Sequence, residues 1–517
     1  MDKDLHVMLE FWVSVFSVGV MGVFVLVYKA LVMEPERVRS IMRKQGIGGP
    51  PPTLLLGNLL EFKKRQPPAA ARSTSENTLN HNWFGTLFPS LEQWRKQYGN
   101  LFMFSLGNIQ ILYVNQPDLM KEITTYKSFD LGKPSYHQKE FGPLLGQGIL
   151  TSNGPTWARY RKILAPELYM DKVKGMINLI LESTDTLLNA WKSRIDQTEG
   201  GIADINIDEY MASFSGEVIS RACFGSSYIK GKQIFVKLKT LQEATSKKVL
   251  SIGVPGASYF PTKGNRQAWA LEKEIHALIV EVVKERKESG YEKDLLQMVL
   301  EGAENSDLSK DEIDQFIVDN CKNIYLAANE TISVVSSWCL MLLASNPEWQ
   351  TRVRTEVLQV CGGQIPDFDM LRKMKQLKMV VQETLRLYPN GAALSREALN
   401  DIQVGGINIP KGVNFWTMVV TMHTDPEIWG PDALNFNPER FVNGLTGACK
   451  IPHTYMPFGF GPRLCVGQHL AMVQLQILIS LILSNFSISL SPKYVHSPTL
   501  RLLVKPEYGV DLLVKKL

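Results

Sequence analysis

The sequence has few cysteines and only a small excess of positive charge, and each of these features argues against particular classes of protein. Its 517 residues include six cysteines, whose wide and irregular spacings form neither a paired zinc pattern nor a disulfide framework. The formal net charge of +5 is small and dispersed, which argues against nucleic acid as a partner. Internal repeats and low-complexity tracts are lacking. The cysteine usage fits a reducing compartment, and the mild basic excess suits an anionic surface or an acidic protein.

Charged residues are also missing between Phe11 and Tyr28, and the apolar trend continues to Met33. A helix of this length spans the hydrocarbon core of a bilayer. A cleavable signal peptide would be shorter and would carry a small-residue cleavage site, so residues 1–33 are predicted to be a retained transmembrane anchor. Basic residues follow the segment and acidic residues precede it, which predicts a cytosolic body. The alternative is a buried core helix, and the basic flank weakens it.

A connector and one large domain account for the rest of the chain. Residues 34–52 are basic and end in GIGGPPP, a Pro- and Gly-rich run that predicts a stiff, non-helical hinge. No break in composition follows Pro52. Residues 53–517 are therefore predicted to form a single domain.

Hydrophobic periodicity predicts that this domain is mainly α with a small β region. Apolar residues recur three and four positions apart through most of 156–341, and long helices are expected at 311–345 and 370–388. Alternating apolar residues at 101–114 are interrupted at Gly107, as in a β-hairpin.

The most informative segment is FGFGPRLCVG, from Phe458 to Gly467, which places Cys465 just before an apolar helical run. A thiolate is stabilised by backbone N–H groups at a helix start and by nearby positive charge. Gly459 permits positive φ, so the loop can curl under a flat ligand, and Gly467 allows close backbone approach. Arg463 can reach an anionic rim group such as a haem propionate. The segment predicts a haem-thiolate loop, with Cys465 as the axial ligand of the iron.

A lone intracellular cysteine is more often a small buried hydrophobe, and the other five cysteines are interpreted in that way. Cys465 differs because four spacing constraints coincide around it. A Phe lies seven residues before it, a Gly four before, an Arg two before and a Gly two after. This coincidence favours the functional interpretation.

A second motif, ETLR, places Glu383 and Arg386 three residues apart on one helical face. On an exposed helix the two residues would form a routine salt bridge, but their neighbours here are apolar. A partly buried pair needs further partners, and Arg440 in NPERF is a candidate. We predict a structural network of these three residues that locks the helix to the cysteine loop.

The long helix at 311–345 carries a polar insert at Glu330 and Thr331, after the small pair Ala327 and Ala328. A helical Thr commonly bonds a carbonyl one turn back, which is a benign explanation. Together with the thiolate loop, however, small side chains, a hydroxyl and an acid suggest a notch that admits a diatomic ligand and relays protons to it. Trp157 and Arg161 of WARYR, and Arg396 after Pro389, could add contacts to a propionate. The alternatives for those three are an interface Trp and solvated arginines.

FGFGPRLCVG, ETLR, NPERF, WARYR and AANET together resemble the cytochrome P450 monooxygenases over essentially the whole chain after the anchor. The resemblance implies the P450 fold, haem b as cofactor, and electrons from NADPH through a membrane-bound cytochrome P450 reductase. The anchor and hinge are similar to those of members in the endoplasmic reticulum membrane, whose catalytic domain is cytosolic. Carried over by position, the resemblance implies a structural triad of Glu383, Arg386 and Arg440. It implies an oxygen-activating pair, Glu330 and Thr331. The residues that it implies for haem binding are Cys465, Arg463, Trp157, Arg161, Arg396, Phe458, Gly459 and Gly467.

The chain departs from the pattern at Ala328 and Asn329, where many relatives have Gly-His or Gly-Thr. Ala328 would narrow the notch by one methyl group, and we expect this to affect rate or regiochemistry more than activity itself. Longer stretches such as SFSGEVISRACFGSSYIKGK resemble a plant subgroup of gibberellin oxidases and related terpenoid hydroxylases. This resemblance implies a lipophilic di- or triterpenoid substrate. Separately, the basic residues Arg159 and Lys162 are candidates for docking the acidic reductase.

Two alternatives remain open. One is a P450-type isomerase or dehydratase that acts without oxygen or reductase. The other is a membrane-tethered haem sensor or carrier that shows ligand-dependent spectra without turnover.

Overall fold

The computed structural model describes residues 2–62, 79–225, 228–246, 252–253, 256, 258–291, 294–306 and 308–517. Helices dominate this part of the chain and strands form small sheets, so the predicted mainly α fold with a small β region is confirmed. Pro and Gly residues between 253 and 265 predict a loop there, and residues 254, 255 and 257 of that stretch lie outside the described part.

The helices cover most of the chain between the anchor and the carboxyl terminus. They are α1 (Asp2–Tyr28), α2 (Glu34–Lys44), α3 (Leu59–Phe62), α4 (Phe84–Leu87), α5 (Pro89–Tyr98), α6 (Pro117–Thr125), α7 (Ser135–Leu145), α8 (Gly154–Leu164), α9 (Met170–Lys174), α10 (Ile177–Asp196), α11 (Asp208–Phe224), α12 (Tyr228–Ser246), α13 (Lys263–Ser289), α14 (Leu295–Glu304), α15 (Lys310–Ser345), α16 (Pro347–Cys361), α17 (Phe368–Lys373), α18 (Lys375–Leu387), α19 (Val419–His423), α20 (Pro426–Trp429), α21 (Leu445–Ala448) and α22 (Gln468–Asn485).

The strands form one five-stranded sheet, one three-stranded sheet and two small hairpins within the described residues. They are β1 (Leu101–Leu106), β2 (Ile109–Val114), β3 (Leu131–Gly132), β4 (Ile202–Asn206), β5 (Ala393–Ala398), β6 (Ile402–Val404), β7 (Ile407–Ile409), β8 (Asn414–Met418), β9 (Phe486–Leu490), β10 (Pro498–Arg501), β11 (Leu503–Pro506) and β12 (Asp511–Lys516). The larger sheet has the order β1-β2-β8-β5-β3, and the smaller has the order β4-β12-β9.

The predicted hairpin is present. Strands β1 and β2 pair antiparallel, with Leu106 opposite Ile109. Gly107 has φ of +57°, the left-handed conformation that glycine adopts without steric cost in a tight turn. The five-stranded sheet to which this hairpin belongs also holds Arg396, on β5.

The amino-terminal helix continues further than the anchor predicted from hydropathy. Helix α1 leads through a π-helical turn, Lys29–Met33, directly into α2. The span Phe11–Lys44 is long and apolar enough to cross a membrane, and its most apolar part is exposed. Residues 47–52 of the predicted hinge adopt neither helix nor strand. Helix α2 thus occupies the first eleven residues of the connector, and the non-helical part is its Pro- and Gly-rich end, as predicted for GIGGPPP.

Helix α15 runs through the protein core and confirms the long helix predicted at 311–345. A capping box starts it, in which the Ser309 side chain accepts from the backbone of Glu312 and the Glu312 side chain accepts from the backbone of Ser309. It ends before Pro347, which cannot continue a helix after Ser345. Like α22, it is apolar enough to cross a membrane, but most of each apolar window is buried within the protein.

The helix predicted at 370–388 is two helices. Met374 separates α17 from α18 with ψ of +78°, which breaks the hydrogen-bonded ladder. The carboxylate of Glu356 accepts hydrogen bonds at 2.9 Å from the N–H groups of Gln376 and Leu377, in the first turn of α18. This tertiary cap explains why one apolar pattern forms two helices.

Candidate active site

The cysteine loop closes on itself just before α22. The backbone N–H of Cys465 donates to the carbonyl oxygen of Phe458 at 2.9 Å, and that of Leu464 donates to Gly461 at 3.0 Å. Gly459 and Gly461 have φ of +79° and +74°, so the expected curl depends on left-handed glycines. Helix α22 starts at Gln468, as the sequence predicts.

The two glycines that flank Cys465 differ in their surroundings. A Cβ on Gly461 would lie 2.2 Å from the carbonyl oxygen of Thr124, so the loop packs against the end of α6. A Cβ on Gly467 would meet no atom of the described chain within 4 Å. The close backbone approach predicted at Gly467 is therefore not to another part of the described chain.

The pKa of the Cys465 thiol reflects opposing effects. Desolvation raises it, while the N–H of Gly467 and the charge of Arg161 lower it. Part of the Cys465 residue is exposed to solvent. Desolvation still affects its thiol, because protein atoms surround the accessible side chain. Both predicted sources of thiolate stabilisation are present, but desolvation is stronger and the net shift is upward.

Cationic side chains gather near the cysteine loop, and we call Lys133, Arg161, Arg396 and Arg463 the cation cluster. Desolvation lowers the pKa of Arg463 to about 9, with Arg396 and Arg161 adding repulsion. Desolvation likewise lowers the pKa of Lys133 to about 7, with Arg396 and Arg463 adding repulsion. Among the described residues, no carboxylate lies within 4.0 Å of any of the four. Arg396 is buried and the other three are half-buried, and such a group of mutually repelling cations is suited to an anionic ligand.

Helix α8 and the cysteine loop hold the predicted arginines in place. The guanidinium carbon of Arg463 lies 4.2 Å from the ring centroid of Trp157, and that of Arg161 lies 5.9 Å from it. Arg161 also donates to the carbonyl oxygen of Leu464 at 2.9 Å. Arg396 reaches the same region from β5 and lines one cavity with Trp157 and Arg463. The structure thus brings the predicted Trp157, Arg161, Arg396 and Arg463 together.

Sequence reasoning missed Lys133. It lies in GKP directly after β3, 332 positions before Cys465, and belongs to none of the recognised motifs. The only pattern that could have found it is a basic residue between a short strand and a proline, which is too common to be diagnostic. Its place in the cation cluster arises from the pairing of β3 with β5, which brings it near Arg396.

The predicted network at ETLR is present, and its central pair, Glu383 and Arg386, is fully buried. Glu383 and Arg386 form a bidentate ion pair, with both N–O distances at 2.7 Å. Arg440 lies farther away, with its Nε 3.4 Å from Glu383, and it also pairs with Asp432 at 2.6 Å. The backbone N–H of Asn437 donates to Glu383 at 2.9 Å. Every member of the network is therefore paired, as buried charges require.

His423 connects this network to the cysteine side, and sequence reasoning did not identify it. Its Nδ1 lies 3.1 Å from the carbonyl oxygen of Arg386, and its Nε2 accepts from the backbone N–H of Met456 at 2.9 Å. With Nδ1 protonated and Nε2 as acceptor, the ring is neutral, in agreement with the burial that lowers its pKa to about 3. Met456 in turn accepts from Gly459 at 2.9 Å, so α18 is linked to the loop.

The polar insert of α15 is engaged in contacts with neighbouring elements. The Thr331 hydroxyl donates to the carbonyl oxygen of Ala327 at 2.6 Å. Glu330 lies 3.7 Å from the Lys505 ammonium, and the side-chain amide of Gln242 donates to it. Desolvation raises the pKa of Glu330, while Lys505 and Gln242 oppose the rise. This carboxyl therefore holds a proton to a higher pH than an exposed glutamate does.

Side chains from other elements contact the backbone of α15 at Ala328 and Asn329, the two residues that depart from the family pattern, and at Thr331. The Ser215 hydroxyl of α11 donates to the carbonyl oxygen of Asn329 at 2.7 Å and lies 3.2 Å from that of Ala328. Asn390 donates to the carbonyl oxygen of Thr331 at 3.2 Å. Side chains thus hold backbone carbonyls of the turn that carries Glu330 and Thr331.

Comparison with known proteins agrees with this arrangement. The model of the family described as "Cytochrome P450" matches residues 77–514. The chain belongs to the cytochrome P450 family, and it is a monooxygenase of that family.

The curated relatives are plant proteins that match nearly full length. Cytochrome P450 714C2 of Oryza sativa subsp. japonica is 49% identical over 501 residues, which cover 96% of each chain. Cytochrome P450 714B3 of Zea mays is 47% identical over 100% of this chain and 98% of its own. Cytochrome P450 714A2 of Arabidopsis thaliana is 42% identical, with 99% of each chain covered.

Membership in the family implies haem, and the residues present fit that group. Haem has one coordination position for a thiolate and two anionic propionates. The described chain offers an accessible cysteine at a closed loop and, near it, a cluster of cations that lacks acidic partners. Open space adjoins Gly467 on the same loop. Thiol, cation cluster and space are what this cofactor needs.

Proposed function

We propose that Cys465 is the axial ligand of haem b, and that the cation cluster binds its propionates. Trp157 would contribute its indole N–H, and Phe458, Gly459 and Gly467 would shape the loop around the ring. The observation that carries this proposal is the convergence of an accessible thiol and four buried or half-buried cations without a carboxylate partner among the described residues.

Bound haem would supply the oxygen chemistry, and thiolate donation to its iron favours cleavage of the O–O bond. The protein by itself leaves the pKa of Cys465 raised, so coordination would have to remove the proton from Sγ. Arg161, which lowers that pKa, would stabilise the resulting negative charge. The buried Glu383 network would keep the loop in register with α18.

Proton delivery is proposed for the polar insert of α15. The Thr331 Oγ1 directs its hydrogen to Ala327, so its lone pairs remain able to accept a hydrogen bond from a water molecule or ligand. The carboxyl of Glu330 would exchange protons with solvent, and Lys505 and Gln242 fix its position. Movement of either partner would change how readily Glu330 gives up its proton.

The location proposed is the endoplasmic reticulum membrane, with a single span and a cytosolic catalytic domain. The exposed apolar helix and the basic residues that follow it support this orientation. NADPH–cytochrome P450 reductase would supply the electrons. Arg159 and Lys162 are exposed on α8, the helix that also carries Arg161, and would dock an acidic partner surface.

The substrate proposed is a lipophilic terpenoid, either a gibberellin-type diterpenoid or a triterpenoid, that is hydroxylated or epoxidised. Support comes from the resemblance of long internal segments to terpenoid-oxidising plant enzymes. A membrane anchor adds independent support, because a site near a bilayer can admit apolar molecules that partition into it.

The haem ligand is tested with Cys465→Ala. We expect this variant to lose the carbon monoxide difference band that is specific for a thiolate-ligated iron. Cys449→Ala is a matched control at a half-buried cysteine, and it should keep the band. A thiolate band in Cys465→Ala would overturn the assignment.

The reaction is tested by incubating microsomes that contain this protein and a reductase with a panel of terpenoids, and by identifying products with mass spectrometry. We expect one added oxygen, dependent on both NADPH and reductase. Product without NADPH would instead favour the isomerase or dehydratase. Binding spectra without product for any member of the panel would favour the sensor.

A further inference from the structure

Asn153 occupies the position just before α8, yet its side chain is not used to cap that helix. Asparagine is among the best residues at this position because its side chain accepts a hydrogen bond from the first turn. Here the side chain makes no such bond with the described first turn, although the backbone is extended at φ −129° and ψ 169°. The side chain is used elsewhere.

The amide of Asn153 connects two members of the cation cluster. Its Oδ1 accepts from the backbone N–H of Lys133 at 2.6 Å and from Nη2 of Arg463 at 2.9 Å. Its Nδ2 donates to the carbonyl oxygen of Lys133 at 2.9 Å. Both acceptor positions of the oxygen are therefore filled, by partners 20 and 310 positions away in the sequence.

The surroundings are built around this side chain. A Cβ on Gly132 would lie 2.4 Å from the Asn153 Oδ1, so the contact requires glycine at the end of β3. The preceding residue, Ser152, accepts from Nη1 of Arg463 at 3.1 Å. Trp157, one turn into α8, stacks on the same guanidinium. The Arg463 guanidinium thus contacts three residues of one segment of the chain: Ser152, Asn153 and Trp157.

The chemical identity of this residue matters because the cluster has no acidic partner. An aspartate here would pair with Arg463 and neutralise part of the positive charge. The neutral amide of asparagine fixes the guanidinium by hydrogen bonds and leaves its charge uncompensated. The charge then remains available to an anionic ligand.

We propose that Asn153 is a positioning residue that orients Arg463 and Lys133 toward the haem propionates, and so sets haem retention and reduction potential. The proposal rests on the haem site proposed above. It concerns residues of this chain that would not touch the iron, and it predicts effects that do not depend on turnover.

The test uses full-length holoenzyme carrying Asn153→Ala or Asn153→Asp. Haem retention is measured as the rate of transfer to apomyoglobin, and the reduction potential by dye-coupled titration. For Asn153→Ala we expect transfer about tenfold faster, since a hydrogen bond to a charged group is lost. The potential should become more negative in Asn153→Ala, and more negative still in Asn153→Asp, because added negative charge favours the oxidised metal.

Asn323→Ala is the matched control. Asn323 contacts the same segment between α7 and α8 that ends at Asn153. Its side chain accepts from the backbone N–H of Leu150 at 2.9 Å and donates to the carbonyl oxygen of Leu145 at 2.7 Å. It makes no hydrogen bond to Lys133 or Arg463 among the described residues. We therefore expect Asn323→Ala to keep wild-type haem transfer and potential.

Unchanged haem transfer and potential in both Asn153 variants would overturn the proposal. Equal shifts in Asn323→Ala would also overturn it, because the cause would then be a loosened loop. Should Asn153→Ala yield no folded protein, Asn153→Ser gives the same comparison with a shorter acceptor. Cys465→Ala distinguishes failure of the proposed haem site from failure of this inference. A retained thiolate band in Cys465→Ala would overturn the haem site itself. Loss of that band, together with unaffected Asn153 variants, would overturn only the role of Asn153.

Discussion

The hydroxyl of Thr331 donates a hydrogen bond to the carbonyl oxygen of Ala327, 2.6 Å away and one turn earlier in α15. This contact is the benign explanation that the sequence allowed for a helical threonine. It does not compete with a functional role, because it fixes the hydroxyl hydrogen and leaves the oxygen as an acceptor.

Thr331→Ala is expected to uncouple NADPH consumption from product formation. Loss of the acceptor should release more peroxide per NADPH oxidised, while Thr331→Ser, which keeps the hydroxyl, should stay close to wild type. Both quantities are measured in a reconstituted reaction with reductase. Thr351→Ala is the control, because Thr351 makes the same bond to Pro347 at an exposed position of α16. Tight coupling in Thr331→Ala would remove Thr331 from proton delivery.

Glu330 is expected to make stability depend on pH in a specific direction. Its ordinary pKa of 4.5 is raised in the folded protein, so the folded state binds the proton more tightly than the unfolded state. Wild type should therefore lose stability relative to Glu330→Gln as pH rises from 4.5 to the raised pKa, and the difference should then stay constant. Melting temperatures of both proteins across this range provide the measurement.

Lys505→Met should extend this pH range upward, because it removes a cation 3.7 Å from the carboxylate and so raises the pKa of Glu330 in the folded protein further. Lys515→Met, at an exposed position of β12, serves as the control. A stability difference that is flat with pH, or that shrinks as pH rises, would contradict the raised pKa of Glu330.

Glu383→Gln is expected to destabilise the protein by about 3–5 kcal/mol, because it leaves two arginines buried beside a neutral side chain. Chemical denaturation and the yield of haem-loaded protein report the effect. Glu304→Gln makes the same change in an exposed pair with Lys287, where an effect within about 1 kcal/mol is expected. Similar losses in both variants would argue that the Glu383 network contributes no more than a surface ion pair.

Gly461→Ala should be far more damaging than Gly467→Ala. At Gly461 the backbone is left-handed and a Cβ would meet the Thr124 carbonyl oxygen at 2.2 Å, so we expect a loss of more than about 2 kcal/mol. At Gly467 the protein leaves room, and melting of the polypeptide should change little. A lower haem content in Gly467→Ala would then report contact with bound haem, and equal melting temperatures for both variants would contradict the strain argument at Gly461.

Local patterns predicted much of this fold because their physical causes are local. The start of α22, the hairpin at Gly107 and the long α15 follow from turn chemistry and periodicity. The break at Met374 did not, since it depends on Glu356 capping α18 from another helix. Lys133, His423 and Asn153 escaped detection for the same reason, because each acts through partners far away in the sequence.

The sequence by itself determined the family, the cysteine loop and the apolar anchor, because these depend on residue types at fixed short spacings. Only the tertiary structure decided which cations gather near Cys465, which groups restrain Glu330, and that desolvation outweighs the forces favouring a thiolate. Those outcomes depend on burial and on distances between segments up to hundreds of residues apart. Electrostatic energies are set by such distances and by exclusion of water, and neither is encoded in local spacing.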